Sequence, residues 1–85
     1  MFFTYILLCS DNSFYVGYTN DLKRRLEEHN SKRGSFYLIS KLPVKLVYFE
    51  KYSTELEAQK REKQLKGWSK IKKINLIKYK HPNPK

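Results

Sequence analysis

The chain is 85 residues long, 40% apolar and 31% charged, a folding composition of one domain's size that leaves no room for a second. Its 18 basic residues against 8 acidic ones give a net charge of +10, which favours a polyanionic partner, nucleic acid first. The longest apolar run, Tyr5 to Cys9, is far short of the ~20 residues of a membrane helix. No signal-peptide pattern opens the chain. The one cysteine, Cys9, excludes an internal disulfide and a Cys-rich zinc site, so a reducing, cytoplasmic setting away from the membrane is expected.

In chain order, Phe2 to Leu8 reads as a strand, Ser10 to Ser13 as a turn, and Phe14 to Thr19 as a second strand closing a hairpin. Gly17 interrupts that strand, the mark of a bulge or a close backbone approach. Thr19, Asn20 and Asp21 offer caps for a helix reaching about Asn30, with Leu22, Leu26 and His29 on one face. Gly34 reads as its stop. Residues 36–42 are apolar without a period, and Pro43 breaks the chain. Val44 to Tyr52 reads as a third strand, with Val44, Leu46, Tyr48 and Glu50 on one side.

Thr54 and Glu57 form a capping box for a second helix from about Glu55 to Lys66, stopped at Gly67. A third helix, about Ser69 to Tyr79, carries Ile71, Ile74 and Ile77 on one face. The prolines of the tail cannot continue it. The order β-β-α-β-α-α predicts an α+β fold, a three-stranded antiparallel sheet flanked by helices. Residues 1–80 are expected to form one domain and 81–85 a tail.

Residues 57–80 hold nine basic residues against Glu57 and Glu62. A surface carrying Lys60, Arg61, Lys63, Lys66, Lys70, Lys72 and Lys73 suits a phosphate backbone; the plain alternative is two solvated helix faces. Arg25 and His29 are four apart on the first helix, beside its buried stripe. An inward arginine needs an anion, whether Glu62, another helix carboxylate or a ligand phosphate. His29 alone is also accounted for as a helix-end residue. Glu62 lies along the apolar side of the second helix, where it suits a hard divalent cation or pairing with Lys66. Tyr5 and Tyr15 stand on adjacent strands, either packing in the core or acting on a proton near a bound phosphate. Cys9 reads as a buried strand residue.

Tyr15-Val16-Gly17 followed by Tyr18-Thr19-Asn20-Asp21-Leu22, Arg25 and His29, with Tyr5 ten residues before Tyr15 and Glu62 downstream, resembles the GIY-YIG nuclease superfamily. The likeness is to its small single-domain bacterial group and spans roughly residues 3–77. Glu62 to Trp68 also looks like that group's second-helix signature. The first motif reads Phe3-Thr4-Tyr5, without the family's glycine and isoleucine, and Val16 stands for the middle isoleucine.

The resemblance implies a metal-dependent endonuclease hydrolysing DNA phosphodiester bonds with Mg²⁺ or Mn²⁺ and no organic cofactor. By position, Tyr5, Tyr15, Arg25 and His29 match the catalytic residues. Gly17 matches the motif glycine and Glu62 the metal ligand. An asparagine beyond the metal-ligand helix corresponds to Asn75 or Asn83. The altered first motif keeps an alternative open, a non-catalytic nucleic-acid-binding module of a DNA repair or mobile-element complex.

Overall fold

The computed structural model describes residues 1–80; the expected tail, with Asn83, lies outside the described residues. Strand β1 (Phe2–Leu8) is the middle of a three-stranded sheet ordered β2-β1-β3, antiparallel on both sides, with β2 Phe14–Thr19 and β3 Lys45–Tyr52 at the edges. Helix α1 (Leu22–Asn30) follows β2, and α2 (Glu55–Lys66) and α3 (Lys70–Tyr79) follow β3. The α+β architecture and its element order are as the sequence predicts.

Because β1 is central and covered on both faces, four of its residues in a row, Thr4 to Leu7, are buried. Tyr5 and Leu7 face one way, into a cluster with Cys9, Leu38 and Val44 that Leu22 and Leu26 of α1 cover. Ile6 faces the other way, with Val16, Leu65 of α2 and Leu76 of α3. The buried Thr4 hydroxyl donates to the Ala58 carbonyl at 2.7 Å, tying α2 to the central strand. Among the described residues no helix is long and apolar enough to cross a membrane.

The caps form where the sequence places them. Asp21 accepts from the Arg24 N–H, Thr54 and Glu57 close the capping box, and Ser69 accepts from the Lys72 N–H.

Four local readings are corrected. Strand β3 does not keep one alternation, because its register with β1 slips between Ile6, opposite Tyr48, and Leu7, opposite Leu46. The extra residue, Val47, makes a bulge. Leu46 therefore packs on the α1 side while Val47 and Tyr48 both pack on the other.

In α3, Leu76 is buried and Ile71 is 63% exposed. The arc around Leu76 and Ile77 turns inward, so Leu76 takes the centre of the buried face and Ile71 drops out of the expected stripe. Cys9 is buried but lies just past β1, in the turn. Gly34 is not the stop of α1. The Arg33 N–H bonds to the Glu28 carbonyl and the Lys32 N–H to that of His29, with Lys32 in the left-handed region at φ 68°. A lysine thus occupies the position that glycine usually takes.

Residues Phe36–Lys41 form a 3₁₀ turn that the sequence left undefined. It buries Leu38 and leaves Phe36, Tyr37 and Ile39 exposed.

Candidate active site

A cleft of about 600 Å³ opens over the β2 edge of the sheet. At an edge strand the two faces of the sheet come within reach of one ligand. Tyr5, Tyr15, Gly17, Arg25 and Glu28 line the cleft from the α1 side, and Tyr18, Glu55 and Glu62 from the α2 side.

The tyrosines converge because of strand register. Tyr5 stands opposite Gly17 and Leu7 opposite Tyr15, so the two phenols are diagonal neighbours on one face. The glycine leaves room for the Tyr5 ring to lie across β2.

His29 does not line the cleft; it is buried behind it. Its Nδ1 accepts the Ser35 backbone N–H at 3.2 Å. That fixes the proton of the neutral ring on Nε2, which lies 3.1 Å from the Tyr5 hydroxyl and donates to it. The ring also meets Tyr15 edge-on, centroids 5.5 Å apart. Gly34 packs directly against the imidazole, and a Cβ there would overlap it. The glycine expected to stop α1 instead makes space for the histidine.

Burial, reinforced by the Arg25 charge, lowers the His29 pKa below its ordinary value. The folded state therefore binds fewer protons than the unfolded chain. The resulting stabilisation is complete above the unfolded value of ~6.5 and is lost as pH falls through the lowered folded value. Urea unfolding at pH 7.5 and pH 5 is expected to show lower stability at the acid pH, with a flatter pH slope in His29→Gln. A variant that keeps the parental slope would assign the acid sensitivity to another group.

Arg25 lies beside the Tyr5 hydroxyl, and its Nη1 is 3.3 Å from Glu28 Oε1. Burial pulls the guanidinium pKa down, but the neighbouring Tyr5 hydroxyl and the Glu28 carboxylate outweigh that and hold it above the usual value. The anion an inward arginine requires is thus a carboxylate of its own helix. Burial raises Tyr5 to about 12; the nearby Arg25 guanidinium opposes the shift, while Tyr15 and Glu62 add to it. Tyr5 is a neutral phenol whose oxygen already accepts from His29, with the Arg25 charge nearby.

Across the cleft, Tyr18 donates to Glu55 Oε2 at 3.3 Å. The Glu62 side chain is 17% exposed, with Lys66 Nζ 3.2 Å from one oxygen. Glu62 thus makes the expected pair with Lys66 and also faces the cleft. Among the described residues no three His, Cys or carboxylate groups converge as a metal cage. A single half-enclosed carboxylate suits Mg²⁺ or Mn²⁺, which commonly take one or two protein oxygens and fill the remaining positions with water and phosphate.

Arg61 departs from the expected basic face. Its Nε and Nη2 bond both oxygens of Glu50 at 2.9 and 3.1 Å, and the guanidinium lies 5.0 Å from the centre of the Trp68 ring. The cause is Glu50, a half-buried carboxylate on β3. Burial pushes its pKa up, but Arg61 and the hydroxyls of Tyr48 and Tyr52 more than reverse this. Lys60, Lys63, Lys66, Lys70 and Lys72 are exposed and Lys73 is half-buried, with Lys72 Nζ 4.9 Å from the other partner of Arg61, the Trp68 ring. Asn75 is half-buried on α3.

The sequence reading missed Tyr18, Glu28 and Glu55 as lining residues. Glu28 was legible three positions beyond Arg25; Tyr18 and Glu55 come together only through the packing of α2.

Comparison with known proteins identifies the family and the fold. The family model described as the GIY-YIG catalytic domain matches residues 1–75. UPF0213 proteins of Staphylococcus aureus strains Mu3 and Mu50 are each 47% identical over 76 residues, covering 89% of this chain and 93% of theirs. The NMR structure of a UPF0213 protein from Bacillus halodurans superposes with a TM-score of 0.60 at 36% identity, covering 95% of this chain and 87% of that one. An E. faecalis protein superposes with a TM-score of 0.61 at 39% identity, covering 98% and 88%. With the motif tyrosines, Gly17, Arg25 and Glu62 gathered on one cleft, the chain belongs to the GIY-YIG nuclease family, among its small bacterial UPF0213 members.

Proposed function

We propose that the chain is a divalent-metal-dependent endonuclease that hydrolyses phosphodiester bonds of DNA. The observation that carries the reading is the meeting of two phenols, a guanidinium and a carboxylate on one open cleft, with a neutral imidazole fixing one phenol from behind. The net charge of +10 supports a polyanionic substrate.

Glu62 would hold Mg²⁺ or Mn²⁺, which supplies Lewis-acid neutralisation of the phosphate when bound. Arg25 contributes a second positive charge, aimed at the phosphoryl oxygens as negative charge grows on them. Tyr5 is a donor and not a base. Its oxygen accepts from His29, and burial keeps the phenol protonated, so it offers a hydrogen bond into the cleft. Tyr15, half-buried and facing the same space, is left to orient the attacking water or accept its proton. His29 never needs to change charge. It holds Tyr5 in place with its Nε2–H, and Ser35 and Gly34 hold the ring.

The test is nicking of supercoiled and branched DNA with millimolar Mg²⁺ or Mn²⁺. Cleavage is expected with either ion and is abolished by EDTA. Arg25→Ala should slow it by about ten- to a hundredfold, below the ~100- to 1,000-fold of a fully enclosed donor, because the guanidinium is partly open to water. Salt-sensitive DNA binding without nicking of any substrate would instead establish the non-catalytic module.

A further inference from the structure

We propose that Phe36, on the 3₁₀ turn beside the cleft, is a stacking platform for an unpaired nucleobase flanking the scissile phosphate, so that the site accepts a strand with at least one base out of the duplex. The proposal rests on the nuclease reading above.

A continuous row of rings leads from the catalytic phenols to this turn. Tyr5 lies 6.3 Å from His29, His29 5.5 Å from Tyr15, and Tyr15 6.3 Å from Tyr37 in a stacked pair tilted by 28°. Tyr37 thus anchors the turn to the cleft, with Leu38 buried beneath it. Lys41 Nζ sits 5.3 Å from the Tyr37 ring centre and pairs with Asp11. Tyr37 is therefore already engaged, whereas Phe36 is 89% exposed and has no aromatic partner among the described residues. Leu38 and Tyr37 suffice to hold the turn in place, and folding gives no reason for an apolar ring at position 36.

Charge selects the occupant. Lys32 and Arg33, both exposed, lie just before the turn, and the chain carries a large cationic excess. An exposed apolar ring a few residues from two exposed cations, and on a turn anchored to the proposed phosphate-binding cleft, suits a nucleotide, whose base stacks while its backbone is held by charge. A base stacked inside a duplex offers only its edge to such a ring, so the partner is one out of the stack. This deepens the DNA reading by naming the substrate feature that the site grips.

The test uses the full chain in EDTA, so that binding is read without cleavage. Fluorescence anisotropy at low salt would compare a labelled oligodeoxythymidine with a blunt duplex of equal length. Phe36→Ala is expected to weaken oligodeoxythymidine binding by about tenfold and leave the duplex unchanged, while Phe36→Trp restores or tightens it. An exposed ring makes both variants safe for folding, and circular dichroism would check this. Unchanged oligodeoxythymidine affinity in Phe36→Ala, or equal losses on both DNAs, overturns the platform while the nuclease reading stands. A dimer that Phe36→Ala converts to monomer, with DNA binding intact, overturns it in favour of a contact with a second copy. No binding of either DNA by the parent overturns both readings.

Discussion

Glu62→Gln is expected to reduce metal-dependent DNA cleavage by at least about a thousandfold, because the amide keeps the shape of the side chain and removes the charge that would hold the ion. The fold should be indifferent to the change. Glu62 pairs with Lys66 one helical turn away, the lysine is half-exposed, and the bond is 3.2 Å; such a surface pair contributes ~0–1 kcal/mol. The parent and the variant should therefore melt within a few degrees of each other. The two effects separate catalysis from stability in one protein. Single-turnover cleavage measured across a Mg²⁺ titration reads the first, and thermal melting reads the second. If Glu62→Gln at saturating metal cleaves within tenfold of the parent, the ion is held elsewhere. Glu55, bonded to Tyr18 on the same side of the cleft, is then the next carboxylate to replace.

Much of this site is visible in the sequence because its residues sit at fixed local spacings. Arg25 and His29 share a helical face, the hairpin brings Tyr5 near Tyr15, and the glycine two residues past Tyr15 gives the Tyr5 ring its space. These relations depend on helical and strand periods alone. Three features depend on tertiary packing and escape such reading. The slip at Val47 redirects one strand's side chains, and no single residue there announces it. The inward turn of Arg61 follows from Glu50, eleven residues earlier on another element; a run of basic residues looks uniform until a buried carboxylate claims one of them. The 3₁₀ turn at Phe36–Lys41 lacks a helical or strand period because one apolar residue in it, Leu38, is buried and its neighbours are not. Gly34 shows a subtler failure. Its place after α1 has the pattern of a helix stop, yet the lysine at position 32 takes the left-handed conformation and the glycine serves the histidine.

Gly17→Ala should damage both the site and the fold. A Cβ at position 17 would lie 2.5 Å from the Tyr5 hydroxyl oxygen, 2.7 Å from Tyr5 Cζ and 3.2 Å from Tyr15 Cε2. Tyr5 cannot swing aside without cost, since it is buried in the central strand and its hydroxyl is held by His29. Either the Tyr5 ring shifts, or β1 and β2 separate where Tyr5 faces residue 17. Overpacking of this kind costs ~1–3 kcal/mol, and each kcal/mol lowers the melting temperature of a domain this size by ~4–8 °C. Displacing the phenols by a fraction of an ångström to about 1 Å should slow cleavage about a hundredfold. Gly67→Ala is the control. Its backbone is right-handed, its nearest contact is the Gln64 carbonyl oxygen at 3.5 Å, and alanine should be tolerated or slightly stabilising there. A second replacement isolates the cause. Tyr5→Phe removes the oxygen nearest the new methyl group, so Gly17→Ala with Tyr5→Phe should recover part of the lost stability and none of the activity. That coupling is measurable as a double-mutant cycle. A Gly17→Ala protein that melts and cleaves like the parent would show that Tyr5 has room to move, and the rigid placement of the phenol by His29 would no longer explain the site.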